Sequence, residues 1–229
     1  MEIKSTQQVM DKQGIFAVVY AESGVGKTSM VPNLGKKPLL IDFEGGASVL
    51  SDKNIDMVTV EPTLDEYKKV MKDVNNLKGY DTVIFDGITA MELNLLAYFG
   101  KTSTSMMPSL NNYGVLNSAL LQAMTDMRAL KFKGINVLVT ATEMSLEESL
   151  DDGRVISKIY PNVSAGKGKY AKRLVAEADI VGRLVISKKD DTAGKRFIIL
   201  EKQDNFVAKD RIFKRKFCEI NNLFKKGDK

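Results

Sequence analysis

Residues 21–29, Ala-Glu-Ser-Gly-Val-Gly-Lys-Thr-Ser, place two glycines, a lysine and a hydroxyl at the spacing of a phosphate-binding loop, with alanine where its first glycine would stand. Such a loop works through consecutive backbone N–H groups that curl around phosphate oxygens at the start of a helix. Gly24 and Gly26 permit the backbone angles and the close approach that this requires. Lys27 is placed to bridge the β- and γ-phosphates, and the Thr28 hydroxyl to bind Mg²⁺. The first motif position only opens the turn, so Ala21 is tolerated if its φ stays negative. The candidate phosphate contacts are Glu22, Ser23, Gly24, Val25, Gly26, Lys27, Thr28 and Ser29. A glycine-rich turn also occurs without any ligand. Here an apolar run, Ile15–Ala21, leads in, and a short helix near Gly26–Val31 is expected to lead out before Pro32 and Gly35 stop it.

Two further carboxylate positions fit the same chemistry. Thr82-Val83-Ile84-Phe85-Asp86 is a hydrophobic strand ending in aspartate, the pattern that holds Mg²⁺ through water beside a phosphate loop. Pro38–Phe43 is another strand, after which Glu44 precedes Gly45 and Gly46. A carboxylate at the end of a strand beside the loop can orient water against a terminal phosphate, so Glu44 is the candidate base. A cap for the following segment is the structural alternative for Asp42 and Glu44.

The elements that must position these groups alternate. Beyond the strands above, Met57–Val60 reads as a short strand, and Thr63–Glu66 as a capping box opening a helix to about Lys78. Helices are expected at Ala90–Tyr98 and Tyr113–Leu130, around an aperiodic polar stretch at Lys101–Asn112. Ile135–Ala141 is a core strand, and Glu143–Ala165 an irregular segment with a small hairpin turning at Asp151-Asp152-Gly153. A basic helix, Lys167–Ala178, leads to two strands, Ile180–Ser187 and Arg196–Glu201, joined by a turn and so antiparallel. The expectation is one α/β domain over residues 1–229, with a mostly parallel sheet, helices on both faces and a C-terminal antiparallel hairpin. The core spans about 14–211, followed by a basic tail, 212–229.

Composition bounds the chemistry. Among 229 residues there is one cysteine and no histidine, which excludes an intramolecular disulfide, histidine bases and zinc clusters. The polar start lacks the apolar region of a signal peptide and no membrane span is readable, so a cytoplasmic location is expected. Residues 1–153 carry more acid than base. Arg154, Lys158, Lys167, Lys169, Lys172 and Arg173 then follow with no acid among them, and residues 202–229 are basic again. Cations gathered late in the chain suggest a polyanion met by one side of the molecule; a solvated surface is the plainer reading.

Taken together, the loop, "IDFEGG", "VIFDGIT" and the polar-ended strand "VLVTATE" resemble the RecA-type ATPase core. More closely they resemble small phage nucleotide-binding proteins of that core, AAA-type ATPases of the single-strand annealing and recombination family. The resemblance implies ATP and Mg²⁺ as ligands, single-stranded DNA as partner, a homo-oligomer, and a phage single-strand binding protein nearby. It puts Glu44 in the place of the water-activating glutamate and Thr142-Glu143 in that of the polar pair that senses γ-phosphate. RecA itself ends that pair in glutamine; a carboxylate would repel phosphate unless it binds metal or turns away, and Thr140 or Thr142 could serve instead. DNA would face Lys101–Asn112 and Glu143–Arg173, where Tyr160 and Tyr170 could stack bases or simply pack. Lys202, Lys209 and Arg211 correspond to the region whose cations reach a neighbour's nucleotide. Two other classes share the loop: a small-molecule kinase, with Arg154–Arg173 as its lid, and a nucleotide-gated DNA-binding module with little turnover.

Overall fold

The computed structural model describes every residue except 1, 2, 4, 6, 9–11, 104, 150, 151 and 226–229. Five strands, β1 (Phe16–Tyr20), β2 (Pro38–Asp42), β3 (Asp56–Thr59), β4 (Thr82–Asp86) and β5 (Asn136–Ala141), pair in parallel in the order β3-β2-β4-β5-β1. The near-continuous apolar runs of β1, β2, β4 and β5 suit strands buried on both faces, and every residue of β1 and β4 is buried, whereas β3 is a largely exposed edge strand. β5 lies between the loop strand β1 and the carboxylate strand β4, with Val18 opposite Val139 and Val83 opposite Val137. All the parallel strands therefore end at one edge, where the candidate residues gather.

Beyond β1 the sheet continues through β8 (Ile180–Ile186), which is parallel to it with Tyr20 opposite Arg183. β8 then pairs antiparallel with β9 (Arg196–Ile199) and with β10 (Lys209–Asp210), and β9 pairs with β11 (Phe217–Glu219). The antiparallel C-terminal part is as expected from the sequence. The hairpin expected in the middle of the chain is also present: β6 (Glu143–Ser149) pairs with β7 (Val155–Pro161), and the first residue of its expected turn, Asp151, lies outside the described residues. It is held to the body through Ile159, whose N–H donates to Asn205 O at 2.9 Å and whose carbonyl accepts from Val207 N at 3.1 Å.

Helices α1 (Leu64–Val74), α2 (Ile88–Lys101), α3 (Leu110–Phe132) and α4 (Lys169–Glu177) all send their buried side chains into one core, over Val18, Ile41, Phe85 and Val139. The opposite face, over Val19, Leu40, Ile84 and Leu138, is covered instead by short 3₁₀ segments and the C-terminal residues. Helices on both faces were expected; among the described residues the four α-helices α1–α4 occupy only one. The cause lies in the segment after the phosphate loop. Thr28–Asn33 is a 3₁₀ turn with Pro32 inside it, so no long α-helix can grow there. Two helices start away from where their apolar periodicity puts them. α3 begins at Leu110 because Ser109 and Asn112 form a reciprocal capping box, which consumes part of the polar stretch read as loop. α4 starts later than expected, since Lys167 at φ 56° and Gly168 at φ 81° are not helical. Thr63 caps α1 by accepting from the Glu66 N–H at 3.2 Å.

Candidate functional site

The loop leaves β1 with Gly24 at φ 79° and Gly26 at φ 101°, so both glycines occupy conformations that L side chains rarely adopt. Lys27 is only 6% exposed, and its ammonium donates to the carbonyls of Ala21 at 3.3 Å and Glu22 at 3.1 Å. It lies across its own loop, held by weak acceptors that a phosphate group would outcompete. The Thr28 hydroxyl donates to Asp86 Oδ2 at 2.6 Å. Asp86 is fully buried; its other oxygen accepts from the Thr140 hydroxyl, which in turn accepts from the Gly87 N–H at 2.8 Å. Among the described residues Asp86 makes no ion pair. A buried carboxylate met only by neutral hydroxyls is costly, and a divalent cation shared with Thr28 would relieve that cost. The donor set fits Mg²⁺.

The two carboxylates after β2 separate into different tasks. Asp42 accepts from the N–H groups of Glu44 at 3.0 Å, Gly45 at 2.8 Å and Ala47 at 3.2 Å, so it organises the turn. Glu44 is left exposed at the rim. A Cβ built on Gly87 would stand 3.0 Å from Glu44 Cβ and 3.3 Å from its Oε2, and one on Gly46 would stand 3.8 Å from Thr28 Oγ1. The fold thus brings Thr28, Asp86 and Glu44, far apart in sequence, to one rim beside the loop.

At the end of β5, Thr142 is absorbed into a polar cluster. Its hydroxyl donates to Thr89 Oγ1 at 3.2 Å and accepts from Asn162 Nδ2 at 3.2 Å, while Thr89 donates to Asn162 O at 2.8 Å. Glu143 turns aside into a bidentate pair with Arg183, at 2.7 and 2.9 Å. This answers the difficulty of a carboxylate at that position: its charge is matched by a guanidinium, whose pKa Glu143 raises first through hydrogen bonding. Arg183 has no place in the site read from sequence. Neither has Arg196, whose Nε donates to Val25 O at 2.8 Å, within the phosphate loop.

The model of the AAA domain family matches residues 13–212. The chain belongs to the AAA domain family. That membership makes the protein a P-loop nucleotide-binding domain of the ATPase type, with the loop, Asp86 and Glu44 all inside the matched segment. No curated protein matches the sequence. Similar solved structures include a KaiC-like protein, PH0186, from Pyrococcus horikoshii OT3, at 13% identity and a TM-score of 0.45, covering 88% of this chain and 86% of that one. The flagellar accessory protein FlaH from Methanocaldococcus jannaschii is another, at 12% identity and a TM-score of 0.47, covering 90% and 84%.

The cationic run of this AAA domain is less free than its sequence suggests. Arg154 pairs with Asp152 at 2.7 Å, Lys172 with Glu148 at 3.2 Å, and Arg173 with Glu177 at 2.7 Å. Lys158 is buried in β7 at 8% exposure, so it is not a surface cation, and Tyr160 is a packing residue that donates to Glu148. Acids distant in sequence, or just outside the run, supply these partners. Lys167 and Lys169 remain exposed, without an ion pair among the described residues. Of the late cations, Lys209 and Arg211 flank Asp179–Val181, level with the start of β1 and at the opposite end of the sheet from the loop. Lys202 is exposed in the segment after β9. None of the three approaches its own phosphate loop. No helix among the described residues is long and apolar enough to cross a membrane.

Proposed function

We propose that the protein hydrolyses ATP, with Mg²⁺, and couples this to binding single-stranded DNA in phage recombination or replication. The observation that carries the hydrolytic part is the convergence of Thr28, Asp86 and Glu44 at the mouth of the loop. Lys27 and the loop N–H groups would bind the phosphates, and Thr28 and Asp86 would hold a magnesium ion, which would supply charge stabilisation to the transferring phosphoryl group. Glu44 accepts the proton of the attacking water. Thr140 keeps the Asp86 carboxylate oriented through a hydrogen bond donated to its Oδ1.

The link to DNA rests on a chain of contacts. α2 follows Asp86 directly, and its Thr89 grips Asn162 at the end of the hairpin. One turn further, buried Glu92 accepts from the backbone N–H of Ser164 at 2.8 Å and from its hydroxyl at 2.7 Å. That loop runs straight into exposed Lys167 and Lys169. A change at the magnesium site therefore has a short packed path to the cations that would meet a phosphate backbone.

ATP turnover measured with and without single-stranded DNA tests the reading, on wild type and on Glu44→Gln. The expected result is DNA-stimulated hydrolysis in the wild type and retained ATP binding without hydrolysis in the variant. Phosphate transfer to a metabolite would replace this reading with a kinase. Binding with negligible turnover in the wild type would replace it with a nucleotide-gated module.

A further inference from the structure

Arg196 is 171 residues from Val25 in sequence, yet its side chain meets the phosphate loop there. Register explains how. Tyr20, the last residue of β1, lies opposite Arg183, and β8 runs on to Ile186, which pairs with Arg196. The tip of the β8–β9 hairpin thus overhangs the end of β1, and Arg196 can reach over β8 to the loop. Its Nε donates to Val25 O at 2.8 Å. A Cβ on Gly26 would lie 2.7 Å from that Nε and 3.1 Å from Cζ, so the guanidinium rests directly against the glycine.

We infer that Arg196 is a positioning residue of the nucleotide site: it locks the Val25–Gly26 peptide so that the Gly26 N–H faces the phosphates. This rests on the nucleotide-binding reading given above. The described chain contains no cis peptide bonds, so the carbonyl of Val25 and the N–H of Gly26 point in opposite directions across one peptide plane. A guanidinium bonded to the carbonyl from outside the loop fixes the N–H toward its interior, and its charge polarises that donor further. Gly26 sits at φ 101°, a conformation a free glycine shares with many others, and ordering it costs entropy each time phosphate binds unless it is already held. Glycine suits the position for its angle, and a side chain there would displace the Arg196 guanidinium.

Since loop N–H groups cradle the α- and β-phosphates, the effect falls on ADP as well as ATP. Losing a charge-assisted hydrogen bond of this kind weakens binding on the order of tenfold. Fluorescent ADP and ATP analogues titrated into wild type, Lys27→Ala, Arg196→Ala and Arg196→Lys test it, alongside the melting temperature of each ligand-free protein. Arg196→Ala should bind both nucleotides about tenfold more weakly, with ligand-free melting unchanged, KM raised more than kcat is lowered, and most affinity recovered in Arg196→Lys. Wild-type affinity in Arg196→Ala, while Lys27→Ala has lost binding, would overturn this inference alone. So would a loss that lysine does not recover and that tracks a fall in melting temperature, because the residue would then only support the fold. A wild-type protein that binds neither nucleotide would overturn the proposed function and this inference with it.

Discussion

Lys209 sits where the fold disfavours a cation. Its ammonium donates to Ala176 O at 3.1 Å; burial first and the neighbouring Arg211 second push its pKa down to about 8, with Asp179 opposing. Between about pH 8 and its ordinary 10.5, the unfolded chain keeps a proton that the folded protein has given up. Stability from this group therefore rises with pH across that window, and below it the cost of the half-buried charge is constant. Lys209→Met removes the titration. Its stability relative to wild type, followed by thermal melting, should be most favourable near pH 7 and should lose that advantage as pH climbs toward 10.5. A difference independent of pH would show that the side chain is solvated. Such couplings are illegible in sequence, since they depend on what surrounds one atom. The phosphate loop is legible because its donors, its lysine and its hydroxyl are contiguous. Asp86 and Glu44 are legible because each ends an apolar run. Arg196 and Arg183 are not, because they meet their partners only through strand pairing; the capping role read as an alternative for Asp42 and Glu44 falls to Asp42, and the sequence leaves that division open because it depends on hydrogen bonds inside one turn.

At the scale of elements, alternating apolar runs specify the strands and their parallel pairing, because buried parallel strands carry no polar interruptions. The covering of the second face is hidden. A short pattern ending at Pro32 reads as a brief α-helix, whereas the segment forms a 3₁₀ turn and leaves that face to the C-terminal residues. The basic run misleads for a similar reason. Counting charge along the chain finds no acid in 154–173, yet Asp152, Glu148 and Glu177 reach Arg154, Lys172 and Arg173 in space. Exposed pairs of this kind contribute little stability but do hold the cations in place. The loop leading into α4 should therefore dominate binding to single-stranded DNA. Lys167→Ala with Lys169→Ala is expected to reduce the slope of log affinity against log salt by roughly 0.7 for each phosphate left without its cation. Lys172→Ala with Arg173→Ala should change it less. Equal slopes for the two double variants would return the whole run to a solvated surface.

In the molecule as a whole, Arg183 and Arg196, the arginines that flank the phosphate loop, are already committed. Arg183 spends two donors on Glu143, and Arg196 donates its Nε to Val25 O. Lys27 is held only by weak backbone acceptors. Charge that develops in phosphoryl transfer is usually met by a further cation, in cis or from a neighbouring subunit, which raises the rate by several orders of magnitude. Lys209 and Arg211 lie at the far end of the sheet, and Lys202 sits on an exposed segment. From there they can serve only a nucleotide held by another copy. ATPase activity per molecule should accordingly rise with protein concentration, or on DNA long enough to gather several subunits. Mixing sharpens the test. A Lys27→Ala protein keeps its late cations but cannot bind phosphate, and a protein altered at Lys202, Lys209 and Arg211 together keeps its loop but has lost them. Each is expected to be nearly inactive alone. Mixed, an intact loop on one subunit can face intact cations on the next, so part of the wild-type rate should return, with a maximum near equal amounts. Turnover that is independent of concentration in a proven monomer, with no activity regained on mixing, would place the missing cation within the same chain.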